Sequence, residues 1–245
     1  SRVACVCSRR VASAARRAGM KIDYAEAREL LRRSRSGALG SWSVSERGYP
    51  FVTAVPYVPD ERARPLFLMS GLAEHTRNLL ADSRASLLVT EGEGGSFDQA
   101  RLTLIGTVAR VELDEASRAR YLRYCPESVD YLSLGDFRFF RMEPEKARFI
   151  GGFGRMGWIG ATSPERFLDS WAEEALLQRL ARATPVSMTL LGIDFEGLDV
   201  RIGGIFRRFA LNPPVGSADA LHDAAAEVLL RADYGLPGGD SAAFV

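Results

Sequence analysis

The sequence predicts an α+β protein, a small antiparallel barrel followed by an α-β-β-β-α unit. Two observations carry this. Five short β-like runs, 38–44, 50–58, 65–70, 85–90 and 101–113, follow one another with few helices between them. They are punctuated by Gly48, Pro59-Asp60 and the glycine-rich stretch 92–96, which is how a small barrel reads. Beyond residue 160 the order changes to a long helix, three short strands and a closing helix.

Each element has a local cause. Residues 23–35 place Ala25, Leu30 and Leu31 on a helical repeat among charges, with Asp23 as cap and Ser36-Gly37 as stop. Asp114 caps a helix running to Tyr124. Residues 131–134 and 137–142 are apolar and aromatic, and 147–150 reads as the last barrel strand. Residues 151–157 hold four glycines in seven positions. That run is either a hinge or a place of close backbone approach, and its spacing is wrong for a dinucleotide fingerprint. Thr162-Ser163-Pro164-Glu165 predicts a helix start, continuing to about Ala183 and stopping before Pro185. Residues 186–195, 197–202 and 205–211 read as strands joined by turns at Glu196-Gly197 and Gly203-Gly204, and Ser217 caps a helix to Ala232. The expected division is a basic N-terminal extension over 1–22, a barrel domain over 23–160, a small domain over 161–235 and a loose tail over 236–245.

Composition sets limits on function. An apolar content of 47% and a charged content of 26% are those of an ordinary globular chain. A net charge of +1 creates no field that would draw nucleic acid or an anionic membrane. No apolar run approaches the roughly 20 residues of a membrane helix. Cys5, Cys7 and Cys125 form neither a disulfide framework nor a four-thiolate metal site, so a reduced, cytoplasmic protein is expected. Residues 1–22 carry six basic side chains and no acid. That pattern fits either a loosely ordered extension or an organellar import sequence.

The chemistry concentrates in FLMSGLAEHTRN, residues 67–78. An apolar strand ends in the small-residue turn Ser70-Gly71, and a short helix opens around Glu74 with Thr76 and Arg77 in its first turns. A helix start presents unpaired N–H groups and the positive end of its dipole, which suits an anion. Arg77 adds a planar fork of donors that fits a phosphate. The plainer alternative is capping hydroxyls and a solvated charge.

With these elements placed, the segments GYPFVTAVP (48–56), SGLAEHTRN (70–78), DSRASLL (82–88) and LTLIGTVAR (102–110) carry a resemblance. The chain resembles the FMN-binding split-barrel superfamily, the pyridoxamine 5′-phosphate oxidase-like group. LAEHTRN (72–78), GGFGR (151–155) and the appended small α/β unit are most similar to its haem-utilisation branch. The resemblance implies an antiparallel split β-barrel, FMN as cofactor, and a homodimer whose cofactor slot lies between two barrels. It further implies an FMN-dependent oxidoreductase acting on a small-molecule substrate of unknown identity. Thr53, Ala54 and Val55 fall where the family's strand follows the flavin ring. Ser70, Thr76 and Arg77 fall on the phosphate pocket, with His75 beside it and Arg101 reaching in from a neighbouring strand. Arg155 is the candidate for holding an anionic substrate.

Haem binding or haem degradation on the same fold is the alternative, as is a binding protein that has lost the cofactor. Asn78 stands where the oxidases carry a second phosphate cation, which predicts a weaker grip by about 1.5–3 kcal/mol. His75 and His222 are the only histidines, and no histidine-rich helix opens the small domain as it does in haem-utilisation relatives.

Overall fold

In a computed structural model the described residues are 24–92, 99–151, 155–160, 164, 166–211 and 213–233. The cap Asp23, the extension 1–22, Cys5, Cys7, the glycines 152 and 154, residues 162, 163 and 165, and the tail 236–245 lie outside them. In chain order the elements of the first half are α1 (Tyr24–Arg33), β1 (Ser36–Trp42), β2 (Pro50–Pro56), β3 (Val58–Pro59), β4 (Pro65–Ser70), α2 (Glu74–Ala81), β5 (Arg84–Thr90) and β6 (Arg101–Arg110). There follow α3 (Glu115–Tyr124), α4 (Ser128–Ser133), β7 (Phe137–Ile150) and β8 (Met156–Gly160). The second unit comprises α5 (Ser170–Leu180), β9 (Met188–Asp194), β10 (Gly197–Ile202), β11 (Ile205–Ala210) and α6 (Ala218–Asp233).

Among these residues the first eight strands form one antiparallel sheet, ordered β2-β1-β5-β6-β7-β4-β3, with β8 also paired to β7. It curls into a split barrel, as the resemblance implies. The cause is strict alternation. Ala85, Leu87 and Val89 of β5 and Leu102, Leu104 and Val108 of β6 all point inward, where Leu39, Phe67, Met142, Ala147 and Phe149 meet them. Helix α1 plugs this core with Ala27, Leu30 and Leu31, and the Tyr57 hydroxyl donates to the Leu31 carbonyl at 2.9 Å. Each fully buried leucine contributes about 1.5–3 kcal/mol. A bulge between Ile105 and Gly106 lets β7 carry Pro144, which cannot donate to a ladder.

The opposite, outer face carries apolar side chains beside a few cations. Registers align Val52, Gly40, Ser86, Ile105 and Lys146 in one row, and Ala54, Ala38, Leu88, Thr103, Arg148 and Trp158 in the next. Val52 and Trp158 are both more than half exposed.

The second unit has a three-stranded sheet, β11-β10-β9, covered by α5 and α6 through Leu176, Leu180, Ile193, Val200, Leu221 and Leu229. Gly203 and Gly204 both take positive φ, 56° and 83°, in the tight turn between β10 and β11. This unit meets the barrel through Tyr121, Tyr124, Phe139 and Leu191 and through a buried set of ion pairs.

Several elements differ from the sequence expectation. Helix α5 starts at Ser170, because Asp169 supplies the cap, accepting from the Ala172 N–H at 2.8 Å. Residues 164 and 166–169 precede it as irregular chain. Residues 131–133 are helical, in α4, and 137–150 is one continuous strand. Strand β8 starts at Met156, within the glycine-rich run 151–157. Phe139 and Phe140 are buried within the chain, whereas Trp158 is exposed.

Candidate functional site

Helix α2 forms the centre of the candidate site. Ser70 ends β4 and its Oγ accepts from the Leu72 N–H at 3.1 Å, which folds the turn into the helix. The helix cap, Ala73, is extended and offers no side-chain oxygen, so the acid of the first turn, Glu74, is what complements the dipole. Asn78 is fully buried and pins the helix to the barrel. Its Oδ1 accepts from the Val44 N–H at 2.9 Å and its Nδ2 donates to Ser41 Oγ at 3.2 Å. A cation at that position would have to bury its charge, so Asn78 is there for structure.

The expected anion donors are all close to the turn, and carboxylates already meet two of them. Arg77 is 61% exposed and its Nη2 donates to Glu74 Oε2 at 2.5 Å. The other oxygen of Glu74 accepts from Ser45 Oγ at 2.8 Å. These two hydrogen bonds, Ser45 first and then Arg77, hold the Glu74 carboxyl below its ordinary range, so it is an anion at neutral pH. Ser70 Oγ donates to Asp136 Oδ2 at 2.6 Å. Thr76 is buried, and its hydroxyl has no hydrogen-bond partner among the described residues. His75 is half-buried, and burial lowers its pKa from 6.5, so the ring is neutral at pH 7. Beside Glu74 an open cavity of about 590 Å³ is lined by Ser43, Ser45, Glu46, Tyr49 and Phe51. Its charged side chains are acidic.

The remaining expected residues are spread more widely. On β2, Thr53 is half-buried and Ala54 is exposed on the outer face, but Val55 is only 4% exposed and packs into the barrel core. The side chain of Val55 therefore cannot line a ring slot. Arg101 lies on the outer face in the row of Thr90, Ile150 and Met156. Arg155 Nη2 donates to both oxygens of Glu26 at 2.6 and 2.5 Å and ties the start of β8 to α1. His222 lies on α6 beside Asp223, in the second unit.

Two residues that govern the seat were missed from sequence. Glu74 stands three positions before Arg77 on one helix, so the pair was visible as an i, i+3 spacing. Asp136 is distant in sequence and reaches Ser70 only through the β4–β7 ladder, where Ser70 pairs with Phe137. Among the described residues no cluster of three or more His, Cys, Asp or Glu side chains could hold a metal ion. No helix among them is long and apolar enough to cross a membrane.

Barrel, turn and appended unit together define a split-barrel protein of the pyridoxamine 5′-phosphate oxidase-like superfamily. The sequence model of the family described as "CREG, beta-barrel" matches residues 21–169, and the chain belongs to that family. It is 35% identical over 129 residues to the non-canonical haem oxygenase HOZ, a chloroplastic protein of Arabidopsis thaliana, covering 52% of this chain and 40% of that protein. The match thus spans well under half of the plant protein's length. The chain is 31% identical over 121 residues to the haem oxygenase HutZ of Vibrio cholerae, covering 46% of this chain and 68% of that protein. A solved haem-binding protein from Mycobacterium smegmatis superposes with a TM-score of 0.52 at 27% identity. That superposition covers 85% of this chain and 96% of the other, so it extends past the barrel into the second unit.

Proposed function

We propose that this chain is a haem-handling protein that binds haem on its barrel as a homodimer and supports haem breakdown. The observation that carries this reading is the state of the phosphate seat. A flavin phosphate needs uncommitted donors, and here Glu74 holds Arg77 while Asp136 holds Ser70. The residues present therefore fit a phosphorylated flavin poorly.

They fit haem better. Haem is a flat apolar ring with two carboxylates, and the outer face offers Val52, Ala54, Leu88, Ile105 and Trp158 as a broad apolar platform. Arg148, its guanidinium 5.7 Å from the Trp158 ring, and Arg101 supply cations on that face. His75 is the only histidine of the barrel, and in its neutral form it keeps a lone pair for iron. Bound haem would supply iron redox and dioxygen chemistry, while the chain holds the ring and shields it from water. An exposed apolar face of this kind also marks an association surface, and a second copy packed across it would complete the slot. The haem oxygenases of A. thaliana and V. cholerae support the same reading by their similarity over the barrel.

A second reading, an FMN-dependent oxidoreductase, is favoured by one observation. The Glu74–Arg77 pair is solvent-exposed and so is readily rearranged. Haemin titration distinguishes the two. The expected result is a saturable Soret shift at one haem per protomer, altered in His75→Ala. Titration without any Soret change overturns the haem reading. Sedimentation at micromolar concentration is expected to give twice the chain mass, and a monomer would remove the shared slot.

A further inference from the structure

We propose that Glu74 is the specificity-determining residue of the α2 seat, a built-in carboxylate that occupies the place of a ligand phosphate and excludes phosphorylated cofactors from it. This deepens the haem reading above by naming the side chain that turns a phosphate seat against phosphate.

Glu74 is held from two sides. Arg77 Nη2 approaches one oxygen at 2.5 Å and Ser45 Oγ approaches the other at 2.8 Å. Those are the two donor types that a phosphate would recruit at such a turn, a guanidinium and a hydroxyl. The carboxylate also lies in the first turn of α2, where its charge answers the helix dipole that would otherwise attract an external anion. Ser70 repeats the arrangement, with Asp136 as its carboxylate at 2.6 Å. The cavity beside the seat adds Glu46, so an arriving dianion meets like charge from more than one direction.

One donor remains. Thr76, in the same first turn, is 2% exposed, and its hydroxyl has no hydrogen-bond partner among the described residues. A buried hydroxyl without a partner is costly, and an acceptor at this turn would relieve it. The seat therefore retains a phosphate site's donors while its occupancy is set by one exposed side chain. Uncharged Gln at position 74 can still accept from Ser45, so removing the charge leaves the turn intact.

The test titrates FMN and riboflavin, by quenching of flavin fluorescence, into the full chain, Glu74→Gln and the double variant Glu74→Gln/Arg77→Ala. Riboflavin shares the ring and lacks the phosphate. The expected result is at least a tenfold gain in FMN affinity for Glu74→Gln, no change for riboflavin, and loss of the gain in the double variant. Equal FMN affinity of the unsubstituted chain and Glu74→Gln overturns the proposal, and so does an equal gain for riboflavin. Haemin titration of Glu74→Gln runs in parallel and is expected to match the unsubstituted chain. No Soret shift in the unsubstituted chain, with the FMN gain intact, would count against the haem reading alone.

Discussion

At the mouth of the α2 seat one guanidinium meets one carboxylate in open water, Arg77 on Glu74. Where the second unit meets the barrel it is the guanidinium that is fully enclosed. Arg208 has no exposed side-chain surface and donates to Glu29 at 2.8 Å, Asp199 at 2.9 Å and Asp194 at 3.0 Å. Arg32 adds a second cation to Asp194 at 2.8 Å, and Tyr124 donates to Asp199 at 2.6 Å. Close by, Arg120 and Arg123 share Glu173, which also accepts the Ile193 N–H at 2.9 Å. The chemistry is the same and the surroundings differ. Water screens the first pair, so it can be exchanged for a ligand and suits a specificity role. The second set is largely shielded from solvent, so its members depend on one another and the set fixes one unit against the other.

The largest expected effect lies at the buried junction. Arg208→Ala removes the cation that Glu29, Asp194 and Asp199 share. It is expected to cost about 3–5 kcal/mol, read as a lowered urea midpoint, and the two units should then melt apart. A loss near zero would mean that the junction is hydrated. Next in size is Gly192→Ala. A Cβ at Gly192 would overlap the Tyr124 hydroxyl and crowd a Glu173 oxygen, so about 1–3 kcal/mol should be lost although only a methyl is added. Unchanged thermal stability would show that α3 and β9 are less tightly joined than described.

The pH dependence sharpens the same contrast. Burial alone would raise the Asp194 carboxyl, but Arg208 and Arg32 outweigh it and hold its pKa at about 2, below the ordinary 3.8. A depressed acid stabilises the fold above its unfolded pKa and loses that contribution as pH falls through the folded value. Stability should therefore decline from about pH 4 toward pH 2, and Asp194→Asn should flatten that decline in urea melts taken across this window. At the exposed end the expected effect is smallest. Arg77→Ala should leave the melting temperature unchanged within measurement, because its pair lies in water.

The same distinction explains what could be read from the chain. The barrel was legible because β5 and β6 alternate without fault, and α3 and α6 because Asp114 and Ser217 announce their caps. Thr162-Ser163-Pro164-Glu165 has the composition of a helix start, yet α5 begins at Ser170. The cap in use, Asp169, is a commoner signal standing just before the apolar run. Strand β8 was hidden by glycines, since Gly157 and Gly160 pair with Phe149 and Lys146 through backbone that carries no alternation. The donors of the seat were legible as a motif, while their occupants were not. Ser70–Asp136 depends on a strand pairing, and Arg155–Glu26 joins residues at opposite ends of the barrel sequence. The resemblance sets Val55 along a ring slot with Thr53 and Ala54, yet the period of a strand sends its side chain to the core.

The decisive property is which planar cofactor this barrel accepts. The most direct measurement equilibrates the purified chain with equimolar haemin and FMN, removes free ligand by gel filtration and records the visible spectrum of the protein peak. A Soret band without flavin absorbance is predicted, and a yellow protein peak without a Soret band would contradict the account.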